Sequence, residues 1–272
     1  MESPRKKNIF LFFQYIKIIL SSLNVVKIIK TKKISLVFTT GGYISAPAII
    51  AAKICSTPII IHESNLIPGT VTKYFGRFCD HVLTGFELTN NSLKDCQVTF
   101  TGTPLRKEFD VFNNLPKWVP NGDGPLILVM GGSQGANGIN KMIYESLDFL
   151  LNNNFRVVHL FGENKINNFK LKNQRNYLPL SFTNEIASLI QNCDLVISRS
   201  GALTINELIK TKKPSILIPY PNSKNNHQEH NAMVLASIGG SIILNESYKS
   251  RYILKDILTE IFEMDSVINN KV

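Results

Sequence analysis

The chain has 272 residues, 44% of them hydrophobic, which exceeds the usual single-domain size and supplies enough apolar material for sizeable cores. Its formal charge of +10 is concentrated at one end: residues 1–33 hold eight Lys and Arg against Glu2 alone, a local +7, so no nucleic-acid partner is read from the remainder. The four cysteines, Cys55, Cys79, Cys96 and Cys193, stand apart without C-x-x-C spacing, which excludes a disulfide framework or zinc site by motif and suits a reducing cytoplasm.

The basic segment encloses the apolar run Ile9 to Leu20, and Gln14, Lys17, Ser21, Asn24 and Lys27 recur at helical spacing as a narrow polar stripe. A basic, aromatic-rich helix of this kind suits the surface of an anionic bilayer, with Phe10, Phe12, Phe13 and Lys17 as membrane-contacting residues. The rival readings are a signal peptide or spanning helix, weakened because Lys17 interrupts the run and no small-residue cleavage site follows, and a helix that simply packs on its own sheet. Strand-like runs at 34–40, 58–62, 81–84 and 98–101 then alternate with helix-compatible stretches at 45–55, 67–78 and 86–94. Pro116, Pro120, Gly122 and Gly124 break the pattern and predict an interdomain connection. A second series follows, with strands near 126–130, 155–160, 194–198, 214–218 and 241–244 and helices near 137–151, 184–192, 202–211, 227–237 and 250–262. The expected organisation is an N-terminal domain over 1–103, a linker over 104–124 and a C-terminal domain over 125–272.

Three strand-to-helix junctions carry glycine: Gly41-Gly42-Tyr43-Ile44-Ser45-Ala46-Pro47, Gly131-Gly132-Ser133-Gln134-Gly135-Ala136, and Ser198-Arg199-Ser200-Gly201-Ala202-Leu203-Thr204-Ile205-Asn206-Glu207. Such turns imply parallel sheets with ligands gathered at the carboxyl ends of the strands. The last suits a phosphate best, since helix-start amides and the helix dipole stabilise an anion and Gly201 permits close approach. Glu207, one turn on, could accept a ribose diol; alternatively Ser200 or Thr204 caps the helix and Glu207 completes a capping box. The loop at 131–136 lacks the G-x-G-x-x-G spacing of a dehydrogenase. No Asp-x-Asp pair occurs, so the reading requires no metal or other cofactor, and a diphosphate would be neutralised by helix dipoles and by Arg106, whose forked cation suits it. Glu63, at the end of the run Pro58-Ile59-Ile60-Ile61, is a candidate general base, with Asn65 orienting it. His62, His81 and His159 lie in or beside apolar strands and read as structural.

Taken together, 41–47, His62-Glu63-Ser64-Asn65 with Pro68-Gly69, Thr101-Gly102-Thr103-Pro104-Leu105-Arg106, 131–136, the Ser-Arg-Ser-Gly-Ala-Leu-Thr run with Glu207, and His227-Gln228 with Asn231 resemble the MurG family of glycosyltransferases in order and spacing. The resemblance implies a glycosyltransferase-B fold: α/β, two Rossmann-like doubly wound domains facing a cleft, here without the first βαβ portion. It implies an inverting, metal-independent transfer of N-acetylglucosamine from UDP-N-acetylglucosamine to the peptidoglycan precursor lipid I. It further implies that Arg106, Ser133, Ala202, Leu203 and Thr204 surround the phosphates, Glu207 the ribose, Phe182 and Thr183 the uracil edge, and Gln228 the sugar hydroxyls, with Gln134 and Asn65 also on the substrate. A peripheral location on the cytoplasmic face of the bacterial plasma membrane is implied, with other cell-wall synthesis proteins as partners. The departures are Ser64 where the family has glutamine, Asn226 where it has an acid, and no Gly-Gly-Thr-Gly-Gly-His loop. That last departure predicts a chain that binds the donor and transfers the sugar slowly or not at all. The alternatives are a UDP-sugar-binding fragment without turnover and a diacylglycerol glycosyltransferase.

Overall fold

The computed structural model describes residues 4–132, 136–162, 175–247 and 249–269, with side chains from residue 16 to residue 263 within them. The chain divides into two compact units, Met1–Thr103 and Pro104–Val272.

The first unit opens with α1 (Pro4–Lys32) and continues through β1 (Val37–Thr39), α2 (Ser45–Ile54), β2 (Ile59–Glu63), α3 (Thr70–Phe75), β3 (His81–Thr84) and β4 (Val98–Phe100). Its strands are all parallel, in the order β1-β2-β3-β4. β-branched Ile59, Ile61 and Val82 favour the pleat and bury one face of the sheet against Ile49, Ala51 and Ala52 of α2 and Ile29 of α1. Beyond Ile29 and the buried Ser22, the described part of α1 leaves Ile19, Leu20, Leu23 and Ile28 exposed beside Lys17, Asn24 and Lys27. No helix among the described residues is long and apolar enough to cross a membrane. The stretch at 86–94 is a 3₁₀ turn, Glu87–Ser92, and not the expected helix. Thr84 Oγ1 donates to Asn90 Oδ1 (2.8 Å) and Thr89 Oγ1 to the Asn65 carbonyl (3.1 Å), local bonds that compete with helix formation. The helix expected over 67–78 likewise shortens to α3 and a 3₁₀ turn at Gly76–Phe78.

The second unit contains β5 (Leu126–Met130), α4 (Asn137–Asn152), β6 (Arg156–Leu160), β7 (Tyr177–Leu180), α5 (Ile186–Asn192), β8 (Leu195–Ser198), α6 (Ala202–Thr211), β9 (Ser215–Leu217), α7 (His227–Ala236), β10 (Ser241–Ile243) and α8 (Ser250–Asn269). The parallel sheet runs β10-β9-β8-β5-β6-β7. Every residue of β5 is buried, as a continuous apolar run requires of a central strand covered on both faces. Ile139 and Ile143 of α4 and Leu254 and Leu258 of α8 join Ile127 and Val129 in one core. Strand order reverses between β5 and β8. A doubly wound sheet opens a ligand crevice at the carboxyl ends of the strands where this happens.

β7, which the sequence reading did not include, contains Pro179. Among the described residues it stands at the sheet edge and pairs with β6 alone, which tolerates the missing donor. The segment expected as an interdomain linker at 104–124 is corrected: it belongs to the second unit. Phe109 and Val119 are buried, Asn113 N–H donates to Gln191 Oε1 (2.9 Å), Trp118 Nε1 to Glu185 Oε2 (2.7 Å), and Ser188 Oγ to the Asn114 carbonyl. Its prolines and glycines shape a strap fastened to α5.

Candidate functional site

At the switch point, the chain leaves β8 through Arg199, Ser200 and Gly201 and enters α6. Gly201 is the N-cap, with extended backbone and no side-chain cap. The capping reading of Ser200 is corrected, since Ser200 Oγ donates instead to the Gln228 carbonyl (2.7 Å). The first turn of α6 therefore presents N–H groups that no side chain caps, at the positive end of the helix dipole.

Beside this turn is a cavity of about 380 Å³, a size suited to a small ligand. Met130, Leu160, Phe182, Ile186 and Leu203 give it apolar walls; Arg106, Thr204 and Glu207 give it a polar end. Gly132 and Gly162, which follow β5 and β6, line it with φ of +85° each, a conformation that costs L side chains strain. Nothing within 4 Å would oppose a Cβ at Gly132, so the positive φ is what the position requires. Glu207 is 4% exposed and its Oε1 accepts from Arg106 Nη2 at 2.7 Å. Burial pushes the Glu207 carboxyl above its ordinary value, and the Arg106 hydrogen bond and charge pull it back. Arg106 is half-exposed and also lies over the Phe109 ring at 5.5 Å. A largely apolar slot ending in an acid, a mobile-stemmed arginine and open helix amides accommodates a flat ring, a diol and an anion in sequence.

The structure thus brings Arg106, Phe182, Thr183, Leu203, Thr204 and Glu207 to one cavity, with the buried Ala202 opening α6. Ser133 and Gln134 lie outside the described residues. Gln228 does not line the cavity; it sits at the start of α7, its Oε1 accepting the Tyr220 N–H (2.9 Å). Sequence reasoning missed Met130, Leu160, Gly162, Ser181 and Ile186. A signal existed for Gly162, a further glycine just after an apolar strand. Among the described residues no three His, Cys, Asp or Glu cluster to hold a metal ion. Burial pushes the thiols of Cys79 and Cys193 up to about 11 and about 12, which leaves neither a useful nucleophile.

In the first unit, Glu63 ends β2 at 4% exposure. Its Oε1 accepts from the Asn65 N–H and Asn65 Nδ2, both at 3.1 Å, and its Oε2 from the Gly69 N–H (2.8 Å) and Thr72 Oγ1 (2.7 Å). With these four bonds Glu63 folds the 64–72 loop onto α3, and Asn65 is part of that loop's bracing. His62 is structural as expected, its Nε2 at 2.9 Å from the Gly102 carbonyl. Ser45, buried at the start of α2, closes the 41–45 turn by donating to the Gly41 carbonyl, with Gly41 and Gly42 at positive φ.

Residues 126–271 match the glycosyltransferase family 28 C-terminal domain and residues 3–84 the glycosyltransferase family 28 N-terminal domain. The chain is 61% identical over 266 residues to the UDP-N-acetylglucosamine--N-acetylmuramyl-(pentapeptide) pyrophosphoryl-undecaprenol N-acetylglucosamine transferase of Prochlorococcus marinus strain AS9601, covering 98% of this chain and 73% of that one. The enzyme of the same name from strain NATL2A is 47% identical over 258 residues, 94% of this chain and 73% of that one. Among solved structures, Acinetobacter baumannii MurG superposes with a TM-score of 0.72 at 24% identity, covering 90% of this chain and 71% of its own. The S. aureus MnaA-UDP co-structure does so with a TM-score of 0.63 at 11% identity, covering 90% and 72%. At these identities the two structures speak to fold.

Proposed function

The chain belongs to glycosyltransferase family 28, and from that premise we propose that it transfers N-acetylglucosamine from UDP-N-acetylglucosamine to undecaprenyl-pyrophosphoryl-N-acetylmuramyl-pentapeptide (lipid I), forming lipid II for peptidoglycan. The observation that carries the reading is the cavity at the switch point of the second sheet, where Arg106, Glu207 and the uncapped start of α6 converge. Uracil occupies the apolar slot against Phe182 and Thr183, and the ribose diol replaces Arg106 as the partner of Glu207. Arg106 then turns to the diphosphate, joined by the amides of Ala202, Leu203 and Thr204. Charge that develops on the departing UDP is thereby met by fixed dipoles and one guanidinium, without any requirement for a metal. Ser133 and Gln134 supply further contacts to the donor, and Gln228 Nε2, the amide end not engaged by Tyr220, donates to the sugar.

The reading is tested by assaying transfer of labelled N-acetylglucosamine to a lipid I analogue. It is overturned if the chain gives neither transfer nor saturable UDP binding. Glu207→Gln removes the anionic acceptor and the Arg106 pair, so UDP affinity should fall by about 1–3 kcal/mol. Calorimetric titration of UDP into both proteins checks this, and equal affinities refute the ribose role.

The enzyme works peripherally on the cytoplasmic face of the plasma membrane, where its lipid acceptor lies. α1 is the docking element, offering exposed Ile19, Leu20 and Leu23 beside Lys17, Lys27 and Lys30; the side chains of Phe10, Phe12 and Phe13 lie outside the described residues. Sedimentation with anionic vesicles should show binding that weakens from low to high salt as the Debye length shortens, with an apolar fraction remaining. Binding equally strong to neutral vesicles and unaffected by salt would remove the basic residues from the account.

A further inference from the structure

Arg199 follows β8 directly and is 9% exposed, yet it lines no part of the cavity that takes the donor. Its donors go to the backbone beyond β9 and to one acid: Nη1 reaches the carbonyls of Ile218 (3.0 Å) and Pro219 (3.1 Å), and Nη2 reaches Glu246 Oε2 (2.6 Å). The guanidinium also lies over the Tyr220 ring at 5.4 Å. A single rigid cation thus ties together the chain after β8, the chain after β9 and the chain after β10, a task for which the forked geometry of arginine is suited and a lysine ammonium is not.

Glu246 is itself seated against a third element. A Cβ on Gly138, in the first turn of α4, would fall 1.9 Å from Glu246 Oε1, so the absence of a side chain at Gly138 is what lets the carboxylate approach the start of that helix. An anion is favoured there by the α4 dipole. The succession is continuous: α4 and Arg199 hold Glu246, Arg199 holds Ile218 and Pro219, the adjoining Tyr220 N–H fixes Gln228 Oε1, and Ser200, next to Arg199, fixes the Gln228 carbonyl. Gln228 is half-buried. With its carbonyl and its Oε1 both taken by groups bordering on Arg199's own contacts, the direction of its Nε2 is set by this framework.

We propose that Arg199, seated by Glu246, is a positioning residue for sugar recognition: it fixes the chain from Ile218 to Gln228 relative to the start of α6, so that the Gln228 amide meets the hexose at a set distance from the bound diphosphate. The inference rests on reading the second unit as the UDP-N-acetylglucosamine site. It differs from a purely structural role in what it predicts. Loss of a structural brace weakens UDP and UDP-N-acetylglucosamine together, whereas loss of a positioning residue weakens only the ligand that carries the sugar.

The experiment measures, by calorimetry on the full chain, the dissociation constants of UDP and UDP-N-acetylglucosamine for the unmodified protein, Arg199→Lys, Glu246→Ala and Glu246→Gln. Arg199→Lys and Glu246→Ala should lower the preference for UDP-N-acetylglucosamine over UDP by about tenfold, the worth of one well-placed hydrogen bond, with UDP affinity within about twofold of the unmodified protein. Glu246→Gln keeps an acceptor for Nη2 and should restore most of the preference. Should Arg199→Lys fail to fold, Glu246→Ala decides alone, because the Glu246 side chain is about one-third exposed, so its removal opens Arg199 Nη2 to water instead of leaving a closed hole. An unchanged preference in Glu246→Ala, or an equal loss for both nucleotides, overturns the proposal. Failure of the unmodified protein to bind either nucleotide overturns the functional reading and this inference with it.

Discussion

Replacing Glu63 with alanine is expected to destabilise the first unit by about 3–5 kcal/mol while leaving the second unit and its UDP affinity intact. The carboxylate accepts from the N–H groups of Asn65 and Gly69, the Asn65 amide and the Thr72 hydroxyl. Its removal strands these donors in a site only 4% open to water, and each buried unsatisfied donor costs about 1–3 kcal/mol before the loop relaxes. Hydrogen exchange resolves the effect by unit: protection should fall over residues 59–84 and stay constant over 126–130 and 195–198. Glu63→Gln sharpens the test. An amide keeps one acceptor oxygen but turns an N–H₂ group toward donors, of which the Gly69 N–H cannot reverse its role, so stability and transfer should decline together and in smaller measure than for alanine. A general base would behave differently. Glutamine in its place would lower transfer by about 10²–10⁴-fold with stability unaltered, and that outcome would assign Glu63 to the chemistry.

What could be read from the sequence was whatever depends on near neighbours. β5 and β8 announce themselves because a strand covered on both faces is apolar at every position, and α6 because Gly201 and the small residues before it mark a strand-to-helix junction. The donor-side residues followed from that junction and from the family resemblance, and the structure gathers six of them at one cavity. What could not be read depends on partners far along the chain. Glu63 looks like a strand-end acid until the loop returns to place Gly69 and Thr72 against it. Arg199 is one residue of a glycine-bearing motif until β9 and β10 bring Pro219 and Glu246 within reach. Prolines and glycines at 104–124 suggested a tether, whereas Phe109, Trp118 and Val119 fasten the segment to its own unit. β7 carries Pro179 within it, which its place at the sheet edge tolerates.

The second unit should lose stability steeply in acid, through His159. This histidine is fully buried on β6 and stacks on Phe161 at 3.9 Å. Asn140 Nδ2 donates to the Phe161 carbonyl (3.1 Å), so Asn140 Oδ1 faces the imidazole and Nε2 must be the protonated nitrogen (3.1 Å); Nδ1 then accepts from the Tyr177 hydroxyl (3.1 Å). The neutral ring satisfies every partner. A second proton would place an uncompensated charge in the core, and burial accordingly depresses the His159 pKa to about 3 from an ordinary 6.5. Because the folded value lies below the unfolded one, the contribution is fully present above pH 6.5 and is lost as pH falls toward 3, at about 1.4 kcal/mol per unit and roughly 4–5 kcal/mol in all. That is comparable with the whole stability of an ordinary domain. The consequence reaches the ligand site, since Asn140 and His159 fix Phe161, the residue before Gly162 in the cavity wall, so UDP affinity should decline over the same range. Denaturant midpoints followed by the fluorescence of Trp118, which lies in this unit, give the measurement. His159→Gln cannot take up the proton; it should be less stable than the unmodified protein at pH 7.5, and the gap should close between pH 6.5 and 4.5. A gap that stays constant with pH would mean that the buried imidazole is not what acid attacks.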